Sequence, residues 1–204
     1  MISADEALER LREGNRRFVD GDRSIDTTMS QVRVVDFVTR QQPIAAILGC
    51  SDSRVPVEVV FDQGFGDLFV IRVAGNIVAP SQVGSVEFAA ERLGSRLVVV
   101  LGHTRCSAIQ ITLEDLEDPT HRSHNVNSIV SRIRPSVEGL LATDLRRNPD
   151  ALAAQAVRAN VRASVNQLRH GSDVLERLIR ADGLRVVGAE YALETGVVDF
   201  FDHD

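Results

Sequence analysis

The sequence is short of the residues that mark several common classes of protein. Only two of its 204 residues are cysteines, Cys50 and Cys106, and in a reducing compartment a structural disulfide is not expected. No apolar run reaches the roughly 18 residues that a membrane span needs. Acidic residues outnumber basic ones by 29 to 23. The formal charge of −6 therefore argues against a nucleic-acid partner and against an anionic membrane surface.

The composition is otherwise that of an ordinary globular protein, with 44% hydrophobic and 25% charged residues. This length fits one domain, and no internal repeat or linker divides the chain. We therefore predict a single domain over residues 1–204. The N-terminus shows neither the basic region nor the apolar region of a secretory signal, so we expect a cytoplasmic protein.

The first 35 residues are predicted to form a helical arm. Ser3 followed by Glu6 is a capping-box signature, and apolar residues at helical spacing behind it indicate a helix over about residues 4–19. The arm has too few apolar positions to form a core of its own. We expect it to pack on another surface, for which a partner subunit is one candidate.

Four short apolar runs are typical of buried strands, because their hydrophobicity is continuous rather than alternating. They lie at 44–48, 68–73, 97–101 and 184–187. Helical patterns separate or follow them at 85–93, 106–116, 126–141 and 150–168, and a further helix starts at Ser172 and ends at Gly183. Strands that alternate with helices predict an α/β fold with a mainly parallel sheet flanked by helices.

The first predicted strand ends in three chemically capable side chains, Cys50, Asp52 and Arg54. Burying such groups costs several kcal/mol each unless they are paired or coordinated. Asp52 and Arg54 are two residues apart, so they project to the same side of an extended segment. Arginine can hold a carboxylate through two hydrogen bonds and keep it ionised. The pair is either a structural ion pair or part of a site.

The third predicted strand repeats this pattern, since an apolar run and a glycine are followed by His103 and Cys106. Ligands of open α/β sheets gather at the carboxyl ends of the strands. If the first and third strands are neighbours, Cys50, Asp52, His103 and Cys106 meet at one edge of the sheet.

Three interpretations of these residues remain open on spacing alone. Two thiolates and an imidazole suit zinc, with a carboxylate or water in the fourth position. Alternatively, the cysteines are small buried hydrophobes and His103 caps a helix. In the third interpretation Cys106 is a nucleophile and His103 is its base.

The two motifs together resemble the paired signature of the β-class carbonic anhydrases: residues 50–54 are Cys-Ser-Asp-Ser-Arg and residues 102–106 are Gly-His-Thr-Arg-Cys. Residues 66–76 are similar to the second strand of that family and its following loop. Residues 84–89 are similar to the helix before the metal strand, and residues 186–191 to the last strand. The resemblance covers roughly residues 41–200.

The resemblance implies one zinc ion per subunit, held by Cys50, His103 and Cys106, with Asp52 able to act as the fourth ligand. It implies a sheet of four parallel strands with an antiparallel edge strand, and a homodimer or homotetramer. The implied activity is the reversible hydration of CO2 to bicarbonate and a proton by zinc-bound hydroxide.

The same resemblance assigns roles around the metal. Asp52 would accept a hydrogen bond from the hydroxide, and Arg54 would hold Asp52 away from the metal. At lower pH Asp52 would bind zinc and close the site. Gln41 aligns with a glutamine that orients substrate from the neighbouring subunit in plant-like members.

Departures from the family pattern keep alternatives open. Ser107 and Val73 stand where glycine and asparagine are usual, which makes a zinc-binding regulatory homologue without turnover conceivable. Hydrolysis of COS or CS2 would need the same groups as CO2 hydration. An inhibitory bicarbonate site of some bacterial members would fall at Ile47, Arg72 and Tyr191, and since the chain has no tryptophan we expect that site to be absent or altered.

Overall fold

A computed structural model describes residues 2–22, 41–119 and 123–202 of the chain. The strands are β1 (Ala45–Gly49), β2 (Leu68–Arg72), β3 (Leu97–His103), β4 (Arg185–Tyr191) and β5 (Val198–Asp202). The helices are α1 (Ala4–Asp20), α2 (Val57–Val60), α3 (Pro80–Glu87), α4 (Ser107–Glu117), α5 (His124–Val137), α6 (Pro149–His170) and α7 (Asp173–Ala181). Short 3-10 segments lie at Ala74–Asn76, Glu138–Ala142 and Asp144–Arg147, and a π-helical turn at Phe88–Arg92 continues α3.

The five strands form one sheet in the order β2-β1-β3-β4-β5. Strands β1 to β4 are parallel to their neighbours, and β5 runs antiparallel to β4. The predicted α/β class with four parallel strands and an antiparallel edge strand is thereby confirmed. The prediction that residues 186–191 form the last strand is wrong, because this segment lies in parallel strand β4 and β5 follows it.

The sheet is covered on both faces, which explains why its strands are continuously apolar. Every residue of β1 and of β3 is buried. On one face α1 and α2 pack over Ile47, Val99 and Leu101. On the other face α3, α6 and α7 pack over Leu48, Val98 and Val100. Among the described residues, no helix combines the length and the apolar character needed to cross a membrane.

Helix α1 has the predicted start, since the Ser3 hydroxyl accepts a hydrogen bond from the Glu6 N–H at 3.1 Å. Its buried face, which includes Ala7, Leu8 and Leu11, packs on the sheet of the same chain. The Asn15 side chain donates to the Val60 carbonyl at 3.1 Å and accepts from the Val198 N–H at 2.8 Å. Residues 23–40 of the predicted arm lie outside the described residues, and contact of the arm with a partner subunit stays a prediction.

The contact of α1 with its own chain can be tested at a helical glycine. A Cβ added to Gly14 would lie 1.9 Å from the Phe61 carbonyl oxygen, whereas one added to Gly84 in α3 meets nothing within 4 Å. We expect Gly14→Ala to lower the free energy of unfolding by about 1–3 kcal/mol. The matched Gly84→Ala variant should raise it by roughly 0.5–1 kcal/mol through helix propensity. Urea denaturation of the metal-free proteins measures both free energies of unfolding. An equal increase in stability in the two variants would contradict the packing of α1 against Phe61.

Candidate metal centre

The pairing of β1 with β3 brings the two sequence motifs together. These strands are parallel neighbours, with Gly49 opposite Leu101. Cys50 directly follows β1, and His103 is the last residue of β3. Cys106 follows three residues after His103 and forms the N-cap of α4. The predicted meeting of the motifs at one edge of the sheet is therefore present.

Cys50, His103 and Cys106 form a compact group whose potential ligand atoms all lie within 4.8 Å of one another. The two sulfur atoms are 4.0 Å apart. The three residues are 4%, 0% and 3% exposed, respectively. The structure therefore places two sulfur donors and one nitrogen donor around a single point that is shielded from solvent.

The ring of His103 is oriented for a metal ligand. Its Nδ1 lies 2.8 Å from the Thr104 carbonyl oxygen, which places the proton on Nδ1 and leaves a lone pair on Nε2. Nε2 is buried and has no hydrogen-bond partner among the described residues. A buried polar atom without a partner is costly, and a metal ion at Nε2 removes that cost. A carbonyl on the other ring nitrogen is the usual arrangement for ligating histidines.

In the metal-free chain the pKa values of the two thiols are shifted in opposite directions. A hydrogen bond from Cys106, with a further bond from the Gly75 N–H, outweighs burial and lowers the pKa of Cys50 to about 4. The hydrogen bond to Cys50, burial and the charge of Cys50 raise the pKa of Cys106. One thiolate and one thiol thus share a proton, which disfavours Cys106 as a nucleophile on its own. A divalent cation between the two sulfurs favours the loss of that proton.

Gly75 supports the site in a way that only glycine allows. Its N–H donates to the Cys50 sulfur at 3.3 Å, and its φ of +71° lies in the left-handed region. A Cβ at this position would lie 2.8 Å from Cδ1 of Ile133. Sequence reasoning placed this residue in a family-like loop but gave it no role. Glycine and asparagine together after β2 were the available signal, since both tolerate positive φ.

Asp52 and Arg54 form a closely bonded pair beside the three donors. Asp52 Oδ1 accepts from the Arg54 backbone N–H and from Nε, both at 2.9 Å, and Oδ2 accepts from Nη2 at 2.7 Å. The hydrogen bond from the Arg54 side chain holds the pKa of Asp52 far below its usual value. Asp52 Oδ2 lies 3.8 Å from His103 Nε2. The carboxylate is therefore ionised and adjacent to the metal donors.

Arg72 is a site residue whose role sequence reasoning missed. Its Nε donates to the Cys50 carbonyl at 3.1 Å and its Nη2 to the Asp52 carbonyl at 2.5 Å. These bonds fix the backbone between the cysteine and the aspartate. The family resemblance assigns Arg72 only to an inhibitory bicarbonate site with Ile47 and Tyr191, and both of those residues are buried. The absence or alteration of that site stays a prediction.

The remaining sequence predictions concern positions near the site. Gln41 is exposed and precedes β1, so it lies toward the end of the strand opposite Cys50, and a role from a neighbouring subunit stays a prediction. Ser107 is the exposed first residue of α4. The positive φ of this turn is at Arg105 instead, so Ser107 requires no glycine-like backbone. Val73 packs among apolar residues.

The donor set fits zinc. Two cysteine sulfurs and one histidine nitrogen form a soft-to-borderline group, and zinc accepts four such ligands in tetrahedral geometry. Three protein donors leave a fourth position for water or for the neighbouring Asp52 carboxylate. Three protein donors with an open fourth position are typical of catalytic zinc sites, whereas structural zinc sites are closed by four protein ligands.

Comparison with known proteins identifies the family. The carbonic anhydrase family matches residues 45–198. "Carbonic anhydrase 2" of Mycobacterium tuberculosis is 36% identical over 197 residues, which cover 97% of this chain and 92% of the relative. The chain therefore belongs to the β-class carbonic anhydrases, a family of zinc enzymes that hydrate CO2. The predicted family, zinc cofactor and enzyme class are confirmed at this level.

Solved structures agree with the fold. The β-carbonic anhydrase CcaA superposes with a TM-score of 0.77 at 25% identity, covering 98% of this chain and 93% of its own. A tetrameric β-carbonic anhydrase of Sordaria macrospora superposes with a TM-score of 0.72 at 23% identity, covering 79% of this chain and 82% of its own. At this identity the second likeness concerns the fold alone.

The shared proton of the two thiols gives a testable expectation for the metal-free protein. The pKa of Cys50 is about 4, so one thiolate should persist at neutral pH and disappear only as the pH falls toward that value. Thiolate absorbance near 240 nm, followed from about pH 8 downward, measures this against the ordinary cysteine pKa of about 8.5. Cys50→Ser should abolish the low-pH step. A single step near the ordinary value in the parent protein would contradict the arrangement.

Proposed function

We propose that this chain catalyses the reversible hydration of CO2 to bicarbonate and a proton at a zinc ion held by Cys50, His103 and Cys106. The observation that carries the proposal is the convergence of these three buried donors within 4.8 Å, next to an ionised Asp52 that Arg54 holds. Zinc, when bound, would act as a Lewis acid that lowers the pKa of bound water to about 7 and so provides hydroxide at neutral pH.

Asp52 is proposed to orient the attacking water. Its carboxylate is 13% exposed and lies 3.8 Å from His103 Nε2, so it borders the position that the donors surround. Because Arg54 keeps it ionised, it can only accept hydrogen bonds. Accepting a hydrogen bond from the nucleophile directs the lone pair of its oxygen toward CO2, which is the positioning that catalysis of this kind requires.

Arg54 is proposed to control whether the fourth position is available. Both oxygens of Asp52 are engaged by Arg54, and this arrangement turns the carboxylate toward the guanidinium. Asp52 therefore has two competing cationic partners, Arg54 and the metal ion. If Asp52 moves onto the metal at lower pH, it occupies the water position and activity is lost.

The assembly and the setting complete the proposal. We infer a cytoplasmic homodimer or homotetramer of single-domain subunits (residues 1–204), with the N-terminal arm (residues 1–35) contributing to subunit contact. Gln41 would orient substrate in the site of a neighbouring subunit. The tetrameric state of the Sordaria macrospora enzyme supports an oligomer.

Stopped-flow CO2 hydration on zinc-quantified protein tests the activity. The parent should turn over, and Asp52→Asn should retain zinc but lose about 100-fold or more in kcat, the range typical for a positioned catalytic carboxylate. Protein with full zinc and no turnover at any pH would refute the enzyme assignment. Competition between CO2 and COS or CS2 in the same assay decides which of these linear substrates the site prefers.

The role of Arg54 is tested by the pH profile of CO2 hydration between about pH 6.5 and 9. The pKa of Asp52 lies below its usual value because of Arg54, so Asp52 stays ionised across this range and its own protonation cannot cause a loss. In Arg54→Gln the metal ion meets weaker competition for the Asp52 carboxylate, so Asp52 should bind the metal at a higher pH than in the parent. The midpoint of the activity profile should therefore move to higher pH, with the zinc content unchanged.

Arg177→Gln is a matched control for this experiment. The Arg177 side chain is 54% exposed and pairs with Glu91, much as the 49% exposed Arg54 pairs with Asp52, but it lies on α7 away from the site. Its profile should overlay that of the parent. A flat profile in the fully loaded parent would count against the switch.

A further inference from the structure

A two-residue turn connects His103 to Cys106, and its backbone is unusual. Thr104 and Arg105 are the intervening residues. Arg105 has a φ of +54°, a left-handed conformation that non-glycine residues adopt rarely. Such a conformation persists only where surrounding contacts hold the backbone in place, and residues in such conformations cluster at functional sites.

Glu194, between β4 and β5, contacts both residues of the turn. Its Oε2 accepts from the Thr104 hydroxyl at 2.8 Å, and its Oε1 accepts from Arg105 Nε at 2.6 Å. The same hydroxyl accepts from the Leu193 N–H at 3.0 Å. One carboxylate therefore uses one oxygen for each residue between the two candidate ligands.

The two residues that Glu194 contacts present their carbonyls to site groups. The Thr104 carbonyl lies 2.8 Å from His103 Nδ1 and orients the ring. The Arg105 carbonyl accepts from Arg54 Nη2 at 3.3 Å, so it helps to place the guanidinium that holds Asp52. A change in either peptide plane would turn His103 or Arg54.

The contact contributes little to the stability of the fold. The side chains of Glu194 and Arg105 are 45% and 74% exposed, and exposed ion pairs are worth little. The hydrogen bond from Thr104 lowers the pKa of Glu194, so the carboxylate is charged at neutral pH. Removing it should leave the chain folded, which allows its effect on the metal centre to be measured separately.

We propose that Glu194 is a positioning residue of the metal centre, which acts through Thr104 and Arg105 on His103 and Arg54. The proposal rests on the proposed function only in assigning the metal to Cys50, His103 and Cys106. Glu194 touches neither metal nor substrate in this scheme. It keeps the turn in a conformation that orients the Nε2 lone pair of His103 toward the metal position. The same conformation supports the hydrogen bonds from Arg54 to Asp52.

The test compares Glu194→Ala with Glu194→Gln and with a matched control, Glu91→Ala. Glu91 is 46% exposed and pairs with Arg177 at 2.7 Å, so its loss removes a similar ion pair away from the site. Zinc affinity is measured by competition with a chromophoric chelator, and the geometry by the absorption bands of the Co²⁺-substituted proteins. Melting temperatures of the metal-free variants report general destabilisation.

We expect Glu194→Ala to weaken zinc binding by about 3- to 10-fold, less than the roughly 10- to 100-fold typical when a direct partner of a ligand is removed. Its Co²⁺ bands should shift, since they report the geometry at the ion. Glu194→Gln can still accept through its one amide oxygen and should fall between Glu194→Ala and the parent. Glu91→Ala should match the parent in affinity and spectrum.

Two outcomes would overturn the proposal. One is unchanged zinc affinity together with an unchanged Co²⁺ spectrum in Glu194→Ala. The other is an equal loss in Glu91→Ala, which would mean a general effect of surface charge. Failure of the proposed function would be seen separately. A parent protein that binds zinc without hydrating CO2 refutes the activity, but the zinc affinity and the Co²⁺ spectrum of the Glu194 variants still decide the role of Glu194.

Discussion

The parallel pairing of β1 with β3 is the constraint on which the site depends. Cys50 and His103 are far apart in sequence, and they meet because two neighbouring parallel strands end at the same edge of the sheet. Their donor atoms converge in a region that is almost closed to solvent. Without this pairing, neither motif holds enough donors for a zinc ion, since tetrahedral sites require three protein ligands and a fourth position.

Burial gives the site its chemistry and also makes it costly to form. Two thiols and an imidazole in an apolar environment are unfavourable unless each finds a partner. The chain supplies partners for most polar atoms, with Gly75 at the Cys50 sulfur and Thr104 at the His103 ring. His103 Nε2 has no partner within the part of the chain that the structure describes. A cation at this position would supply one, so metal binding and folding are expected to be coupled.

Beside the three donors, three arginines make different contacts. Arg54 bonds the Asp52 carboxylate, Arg72 bonds the backbone carbonyls of Cys50 and Asp52, and Arg105 links its turn to Glu194. The planar guanidinium suits Arg54 and Arg72 because it donates through two of its nitrogens at once. Arg54 and the backbone around Asp52 are thus held by contacts at the ends of three strands.

The sequence by itself determined the α/β class and the presence of Cys50, His103, Cys106 and the Asp52–Arg54 pair after apolar runs, because apolar runs and short spacings are local signals. The assignment of the three donors to zinc needed the family resemblance as well. It did not reveal that residues 186–191 form a parallel strand followed by β5, since strand direction depends on pairing. Nor did it reveal Arg72, Gly75 or Glu194, whose roles come from contacts between residues distant in sequence. Tertiary structure decided those roles, because only folding places these groups within hydrogen-bonding distance of the segments that follow β1 and β3.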